Sequence, residues 1–156
     1  MGGPPFVEVG ADILHFRAAC GGDQVTRLIE NLRSPESYVI VRDCLRLVSE
    51  SVSKHYEAVN LGEPLQPKYR EYRCGQVYPL HVDSYGNGYP ATQRQLTFVL
   101  GLNNDYEGGT VFFPRQLVDL RVGAGDILVF PAIYTHPHEV RQVTAGIRKI
   151  VTTWFC

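Results

Sequence analysis

The chain has 156 residues, a net charge of −1, 44% apolar residues and 20% charged residues. This length allows one domain with a hydrophobic core, and the composition is that of a soluble globular protein. A near-neutral charge without a cluster of Lys and Arg argues against a nucleic-acid partner, and no apolar stretch is long enough to predict a membrane span.

The N-terminus and the cysteines bear on the cellular location. Residues 1–5 lack the basic and apolar regions of a secretory signal, so a cytoplasmic location is expected. The four cysteines show no C-x-x-C spacing, which argues against a zinc or dithiol redox motif. We therefore expect free thiols in a reducing compartment at Cys20, Cys44, Cys74 and Cys156.

The N-terminal part of the chain predicts one short strand and two helices. The strand is expected within residues 6–16. Asp23 can cap a first helix, whose apolar residues recur at helical spacing. Ser34 and Pro35 begin a second, and its apolar stripe predicts one helix from about 35 to 59.

From Lys68 onward the sequence changes to short segments, rich in β-branched and aromatic residues, that turn residues separate. These segments predict eight strands, at about residues 68–74, 77–83, 94–103, 109–113, 117–121, 126–131, 136–143 and 147–155. Helices followed by eight strands fit a mainly β, α+β fold, the double-stranded β-helix or jelly roll, with the N-terminal helices packed on one sheet. A single domain over residues 1–156 is expected, with a helical support region at 1–66 and the jelly-roll core at 67–156.

His81 and Asp83 lie two residues apart in the predicted strand 77–83. Side chains at positions i and i+2 of a strand share a face, so an imidazole and a carboxylate could bind one metal ion there. A third ligand would complete the two-histidine, one-carboxylate triad of non-heme iron sites, which leaves three positions open. His136 and His138 are both candidates, because they share a face of a later predicted strand.

Arg148 follows on the last predicted strand. A buried guanidinium needs a partner of opposite charge, and it can bind a carboxylate through two parallel hydrogen bonds. Strand alternation places Ile150, Thr152 and Trp154 on the same face as Arg148. If that face points inward, Thr152 and Trp154 help to form the wall of the pocket.

Residues 84–93 interrupt the predicted strands directly after Asp83, with two glycines and a proline. This composition fits a surface turn. The position beside the candidate metal ligands favours a mobile lid over the open face of the metal.

The order of these motifs resembles a known family. The residues that carry the resemblance are Tyr72, Gly75, Tyr78, His81, Asp83, Arg94, Thr97, Leu102, Asn103, 106–110, Phe112, Gly125, Asp126, Phe130, Pro131, 138–140, 143–148 and Trp154. In these residues the chain resembles the Fe(II)/2-oxoglutarate-dependent oxygenases, and among them the prolyl 4-hydroxylase-like group. The family's Gly-Gly-Glu-Thr is shorter by one residue here, as Gly108-Gly109-Thr110.

The resemblance implies a metal site and a set of cofactors. It implies that His81, Asp83 and His138 bind Fe(II), and it selects His138 over His136 as the third ligand. It implies 2-oxoglutarate and O2 as co-substrates, and it leaves a place for ascorbate as an accessory cofactor.

The resemblance also implies a co-substrate pocket. Arg148 would bind the far carboxylate of 2-oxoglutarate, and Tyr72, Thr97 and Trp154 would complete the pocket around it. Arg94 would contact the substrate at the mouth of the pocket.

A family member with these residues would hydroxylate an unactivated C–H bond and release succinate and CO2, with a prolyl or other amino-acid residue of a peptide or protein as the favoured target. The carboxylate of Asp83 favours hydroxylation over halogenation, for which related enzymes carry a small residue at that position. The sequence ends directly after the last predicted strand, so no separate peptide-binding domain is expected, and a short peptide is favoured over a long polyproline chain.

Two alternatives remain open at this stage. One is a jelly-roll module that binds metal without catalysis. The other is an oxygenase of the same fold that acts on a free amino acid, another small molecule or a nucleic acid, although the charge of the chain weighs against the last.

Overall fold

The computed structural model describes residues 3–57, 59–84 and 94–156. In these ranges the chain forms three helices and eleven strands. The helices are α1 (Gly22–Glu30), α2 (Glu36–Arg46) and α3 (Ser49–His55). The strands are β1 (Val7–Gly10), β2 (Ile13–Phe16), β3 (Lys68–Arg73), β4 (Tyr78–His81), β5 (Leu96–Gly101), β6 (Tyr106–Gly108), β7 (Val111–Phe113), β8 (Val118–Leu120), β9 (Ile127–Pro131), β10 (His138–Val140) and β11 (Val143–Phe155).

The strands form two antiparallel sheets. The larger sheet has the order β1-β2-β9-β5-β11-β3, and β6 pairs with the start of β11. The smaller sheet has the order β4-β10-β7-β8. The two sheets face each other across a shared core, which makes the fold the double-stranded β-helix, or jelly roll, that the sequence predicts.

The helices cover the outer face of the larger sheet, as predicted. Leu28 of α1 and Val41 of α2 are buried in one cluster with Phe98 of β5 and Phe155 of β11. On β11 this outward-facing set alternates with residues that face the smaller sheet, so the strand is buried on both sides.

The core between the sheets lies beside the candidate site. Val99, Phe130 and Ile150 of the larger sheet pack with Val111 and Val140 of the smaller one. The same five side chains also line the cavity described below, so packing of the core sets the distance between its walls.

A partly buried carboxylate links β2 and the residues after it to the turn before β9. Asp126 accepts hydrogen bonds from the backbone N–H groups of Ala18 and Gly123, at 2.8 and 2.9 Å, and its Oδ2 lies 3.0 Å from Nε2 of His15. Burial raises the pKa of Asp126, but the hydrogen bonds to His15 and to the two N–H groups outweigh it and hold the pKa below its usual value.

The structure corrects the predicted helix over 35–59. The helical segment is broken, because α2 ends at Arg46 and α3 begins at Ser49. The N-terminal region predicted as one short strand is the hairpin of β1 and β2, with Asp12 at a positive φ of 61° in the turn. A strand, β6, also lies where none was predicted.

Each of the eight predicted strands corresponds to a strand of the structure, with different ends. β4 ends at His81, so Asp83 lies beyond the strand rather than in it. β10 begins at His138, so His136 also lies outside a strand. Residues 85–93 of the predicted lid lie outside the described ranges.

The prediction of four free thiols is wrong for one pair. Cys20 and Cys44 are paired as a disulfide, with their Cα atoms 5.6 Å apart. Cys74 and Cys156 are free and exposed.

None of the helices in the described ranges is long and apolar enough to cross a membrane.

Candidate active site

A cavity of about 580 Å³, including its open mouth, lies between the two sheets. From the larger sheet, β11 contributes Arg148, Ile150, Thr152 and Trp154 to its wall, so these four residues share one face as predicted. β3 adds Tyr72. The smaller sheet contributes the opposite wall, from β4, β7 and β10.

Three potential metal ligands meet in this cavity. His81 and His138 face each other directly across the pairing of β4 with β10, and their ring centres are 4.4 Å apart. Asp83 follows β4, and its backbone N–H donates to the carbonyl of Ala132 at 3.2 Å. One donor atom from each of the three side chains lies within 4.8 Å of the other two.

The donor atoms point at a common position. Nε2 of His81 lies 3.0 Å from Oδ1 of Asp83, and Nε2 of His138 lies 3.5 Å from the same oxygen. Neighbouring ligands of an ion with bonds of about 2.1 Å are about 3.0 Å apart at right angles, so these separations suit one shared ion.

Backbone carbonyls orient both imidazoles. Nδ1 of His81 lies 2.8 Å from the carbonyl of Pro79, and Nδ1 of His138 lies 3.0 Å from the carbonyl of His136. Because a carbonyl only accepts hydrogen bonds, Nδ1 carries a proton in each ring, so Nε2 is the nitrogen that can offer a lone pair to a metal ion. This is the tautomer that a metal ligand needs.

The second oxygen of Asp83 is held from the larger sheet. Oδ2 accepts a hydrogen bond of 2.6 Å from the hydroxyl of Thr97 and one of 3.3 Å from Nε1 of Trp154. Burial raises the pKa of Asp83, but hydrogen bonds from His138, His81 and Thr97 outweigh it and hold the pKa well below the usual range. Asp83 is therefore an anion with Oδ1 directed at the two imidazoles.

Arg148 is buried, and it forms no ion pair with the described residues. Its side chain is 1% exposed, and Nε and Nη1 have no hydrogen-bond partner among the described residues. Its guanidinium lies 5.2 Å from the centre of the Tyr72 ring. Burial lowers the pKa of Arg148, which nearby phenols oppose, yet a guanidinium stays protonated in a protein. A buried cation with unused donors is a site for an anion.

The family comparison supports this picture. The sequence model of the 2OG-Fe(II) oxygenase superfamily matches residues 67–156, more than half of the chain. The chain belongs to this superfamily. The matched range contains every residue of the cavity described above, so the family assignment and the site rest on the same part of the fold.

Curated relatives carry the name of a hydroxylase. The chain is 30% identical over 119 residues to a PKHD-type hydroxylase of Psychrobacter sp., a match that covers 69% of this chain and 45% of the relative. It is 29% identical over 148 residues to a PKHD-type hydroxylase of Hyphomonas neptunium, covering 88% of this chain and 65% of the relative. The chain thus spans less than two thirds of either relative.

Two solved structures share the fold. A prolyl-4-hydroxylase of Pseudomonas putida superposes with a TM-score of 0.72 at 18% identity, over 98% of this chain and 97% of that one. A viral collagen prolyl hydroxylase from Paramecium bursaria Chlorella virus-1, in complex with 2OG, superposes with a TM-score of 0.70 at 17% identity, over 92% and 94% of the two chains. At these identities the likeness establishes the jelly-roll fold.

The residues present fit the cofactors that the superfamily name implies. Two imidazoles and one carboxylate, with the rest of the cavity open, match the facial triad of non-heme Fe(II). The partnerless donors of Arg148 match a carboxylate at the far end of a ligand. The cavity therefore suits both the ion and 2-oxoglutarate.

The structure distinguishes His136 from His138, which strand alternation could not do. His136 is also buried, but its Nε2 lies 2.7 Å from the carbonyl of Ala11 and its Nδ1 lies 2.7 Å from the hydroxyl of Thr135. Both ring nitrogens of His136 thus have partners, and the contact of Nε2 joins the N-terminal hairpin to the loop before β10.

Three of the residues predicted around the co-substrate line the cavity in different ways. Tyr72 lies beside Arg148, and burial raises the pKa of its phenol, so the hydroxyl remains a donor. Thr97 and Trp154 also line the cavity, but their donors bind Asp83. Sequence reasoning did not find this contact, because it joins residues 14 and 71 positions apart.

Arg94, predicted to contact the substrate, also lines the cavity. Its guanidinium lies 3.7 Å from the centre of the Trp154 ring, and Nη1 donates to the backbone carbonyl of Asp83 at 3.2 Å. Sequence reasoning missed a third arginine of the wall, Arg70, which lines the cavity with Arg94 and Arg148. The signal was present, because Arg70 lies two residues before Tyr72 on the same strand.

Proposed function

We propose that this chain is an Fe(II)- and 2-oxoglutarate-dependent dioxygenase that hydroxylates an unactivated C–H bond of a prolyl or other amino-acid residue and releases succinate and CO2. Superfamily membership implies Fe(II), 2-oxoglutarate and O2 as the cofactor set. The substrate in this proposal is a peptide, a protein or an amino acid.

One observation carries the proposal: the three metal donors and Arg148, whose Nε and Nη1 have no partner among the described residues, lie on the walls of one cavity. A metal site that serves only the fold needs no buried cation beside it, and such a cation costs free energy. A ligand that chelates the ion at one end and carries a carboxylate at the other accounts for both features. 2-Oxoglutarate has this form.

Each residue of the metal site has a distinct task in this proposal. Nε2 of His81, Nε2 of His138 and Oδ1 of Asp83 hold Fe(II). Thr97 and Trp154 bind Oδ2 of Asp83, which keeps the carboxylate from rotating and binding the ion through both oxygens. When bound, Fe(II) with 2-oxoglutarate and O2 supplies the oxidising power to place one oxygen atom into a C–H bond.

The co-substrate is held by the deeper wall. Arg148 donates to the far carboxylate of 2-oxoglutarate, and the protonated phenol of Tyr72 donates to the same ligand. Val99, Val111 and Ile150 line the cavity between the polar groups and exclude water from it. Exclusion of water strengthens the contact of Arg148 with the carboxylate.

The substrate class is drawn from the relatives. The curated relatives are named PKHD-type hydroxylases, and the two solved structures are named prolyl hydroxylases. These names support a hydroxylase that acts on an amino-acid residue. The relatives extend well beyond the part that this chain covers, so their activity is proposed for this chain.

The test is succinate formation from 2-oxoglutarate by the purified chain with Fe(II) in air, with bound iron measured in the same samples. Wild type should release succinate, and His138→Ala should lose both the iron and the succinate. His136→Gln is the matched control, because His136 lies two residues away and should leave both signals in place. Bound iron without succinate above the His138→Ala level would contradict the proposal and favour a metal-binding module without catalysis.

A further inference from the structure

Arg70 places a cation at the opening of the cavity. Arg70 and Tyr72 share a face of β3; Tyr72 is buried, whereas Arg70 is partly exposed. The Arg70 guanidinium lies 5.6 Å from the centre of the Tyr78 ring. The Tyr78 ring in turn lies 4.4 Å from the ring centre of His81. The cation is thus within reach of a molecule that approaches the metal ligands.

Two more cations lie at Trp154 of the cavity wall. Arg94 lies 3.7 Å from the centre of the Trp154 ring, and Nζ of Lys68 lies 5.6 Å from the same centre. Lys68 and Arg70 are two residues apart on β3, so both belong to the face that carries the cavity wall. In the part of the chain that the structure describes, neither Lys68 nor Arg70 forms an ion pair.

Carboxylates are scarce around this opening. Among the described residues that line the cavity, Asp83 has the only carboxylate, and it is turned to the imidazoles. Glu71 lies between Arg70 and Tyr72 in sequence but on the opposite face of β3, where it pairs with Arg73 at 3.0 Å. The sequence of residues 84–93 contains no Asp or Glu.

The cofactors of the proposed function do not use these cations. The two positive charges of Fe(II) and the one on Arg148 equal the charges on Asp83 and on the two carboxylates of 2-oxoglutarate. The loaded centre is therefore neutral, and the charges of Lys68 and Arg70, which form no ion pair with the described residues, remain at the opening. A substrate meets this positive field before it reaches the metal.

We infer that the substrate carries a carboxylate next to the C–H bond that reacts, and that Arg70 binds this carboxylate. The inference rests on the proposed function and names the chemistry of its substrate. The carboxylate belongs either to an Asp or Glu beside the target residue of a peptide, or to the α-carboxylate of a free amino acid or chain end. A target residue with a positive charge, such as lysine, is disfavoured at the same opening.

The test compares matched ligands that differ only in one carboxylate. One pair is a fluorescent peptide with a central proline flanked by Asp or by Asn, and the other is proline and prolinamide. Binding is measured without O2, on protein loaded with Mn(II) and 2-oxoglutarate, by anisotropy for the peptides and by calorimetry for the small molecules. In at least one pair the acid should bind about tenfold more tightly than the amide, which is the effect of one charge-assisted contact.

Variants of β3 assign that preference to one residue. Arg70→Gln should abolish the preference and Arg70→Lys should restore part of it, because lysine keeps the charge without the planar fork. Arg73→Gln is the matched control, since Arg73 lies on the same strand and faces away from the cavity. The pair that shows the preference identifies the source of the carboxylate.

The outcomes separate this inference from the proposed function. Equal binding of acid and amide in both pairs, or a preference that persists in Arg70→Gln, overturns the inference. If 2-oxoglutarate still binds in those samples in a manner that depends on Arg148, the proposed function stands. If 2-oxoglutarate does not bind at all, both fail.

Discussion

Arg148→Met is expected to stabilise the ligand-free protein while weakening its affinity for 2-oxoglutarate. The side chain is 1% exposed, and two of its nitrogens have no partner among the described residues. A buried donor without a partner costs about 1–3 kcal/mol, and methionine removes the donors while keeping a long, flexible side chain. We therefore expect the free energy of unfolding to rise by about 1–3 kcal/mol, or roughly 2–12 °C in Tm for a chain of this size.

The ligand should narrow this difference in stability between the variant and wild type. At one hundred times its Kd, 2-oxoglutarate stabilises a protein by about 2.7 kcal/mol. Loss of a two-pronged, charge-assisted contact should raise the Kd by at least about tenfold, which leaves at most about 1.4 kcal/mol of stabilisation at the same concentration. Thermal unfolding of the Mn(II)-loaded protein without O2, with and without 2-oxoglutarate, measures both effects.

Arg141→Met is the control for a lost arginine. Arg141 is exposed and lies 4.1 Å from the centre of the Phe112 ring, outside the cavity, so the stabilisation by 2-oxoglutarate should remain complete. Metal content should be the same in all three proteins, because neither arginine is a proposed ligand. If 2-oxoglutarate stabilises Arg148→Met as much as it stabilises wild type, Arg148 is not the residue that binds its far carboxylate.

Three further changes test the supports of the site. Thr97→Val should lower the Fe(II) affinity by roughly tenfold or more, because Asp83 loses a hydrogen bond of 2.6 Å. Calorimetric titration with the metal measures this, and an unchanged affinity would speak against the role of Thr97. Asp126→Asn should destabilise the fold by about 1–3 kcal/mol at pH 7. The folded-state pKa of Asp126 lies below that of the unfolded chain, so the stability it contributes is present above about pH 4 and is lost as pH falls through the folded pKa. Urea unfolding should therefore show the gap to wild type shrinking at low pH; a constant gap would be inconsistent. Gly109→Ala should lower the free energy of unfolding by about 1–2 kcal/mol and weaken 2-oxoglutarate binding. The reason is that φ of Gly109 is +63° and that the new Cβ would lie 3.0 Å from Cδ of Arg148. Wild-type values in urea unfolding and in co-substrate titration would count against this.

The sequence predicts the β-rich part of the fold well, because turn residues separate its strands. It fails at the helical segment 35–59, where Leu45, Val48 and Val52 keep the same apolar spacing across the break between α2 and α3. Periodicity measures burial, and all three residues are buried, so the break leaves no trace in the pattern. β6 is missed for a different reason: it is a strand because β11 pairs with it, and two of its three residues, Glu107 and Gly108, have little strand preference.

The candidate site follows from the order of its residues more than from any single motif. Alternation along the last strand placed Arg148, Thr152 and Trp154 on one face, and all three line the cavity. Alternation could not choose between His136 and His138, since the difference depends on a contact of His136 with Ala11, 125 residues away. Which atom a side chain binds depends on such distant contacts, and local spacing does not contain them.

The most direct test of the proposed chemistry is the mass of candidate peptides and amino acids after incubation with the protein, Fe(II) and 2-oxoglutarate under ¹⁸O₂. We predict a gain of about 18 Da in one product, because its new oxygen atom comes from O2, and we expect this gain to require 2-oxoglutarate and to be accompanied by succinate. A gain of about 16 Da under the same gas would mean that the oxygen comes from water. Either that result, or no gain in any proline-containing peptide or free amino acid while iron and 2-oxoglutarate are bound, would contradict hydroxylation of an amino-acid residue by this chain.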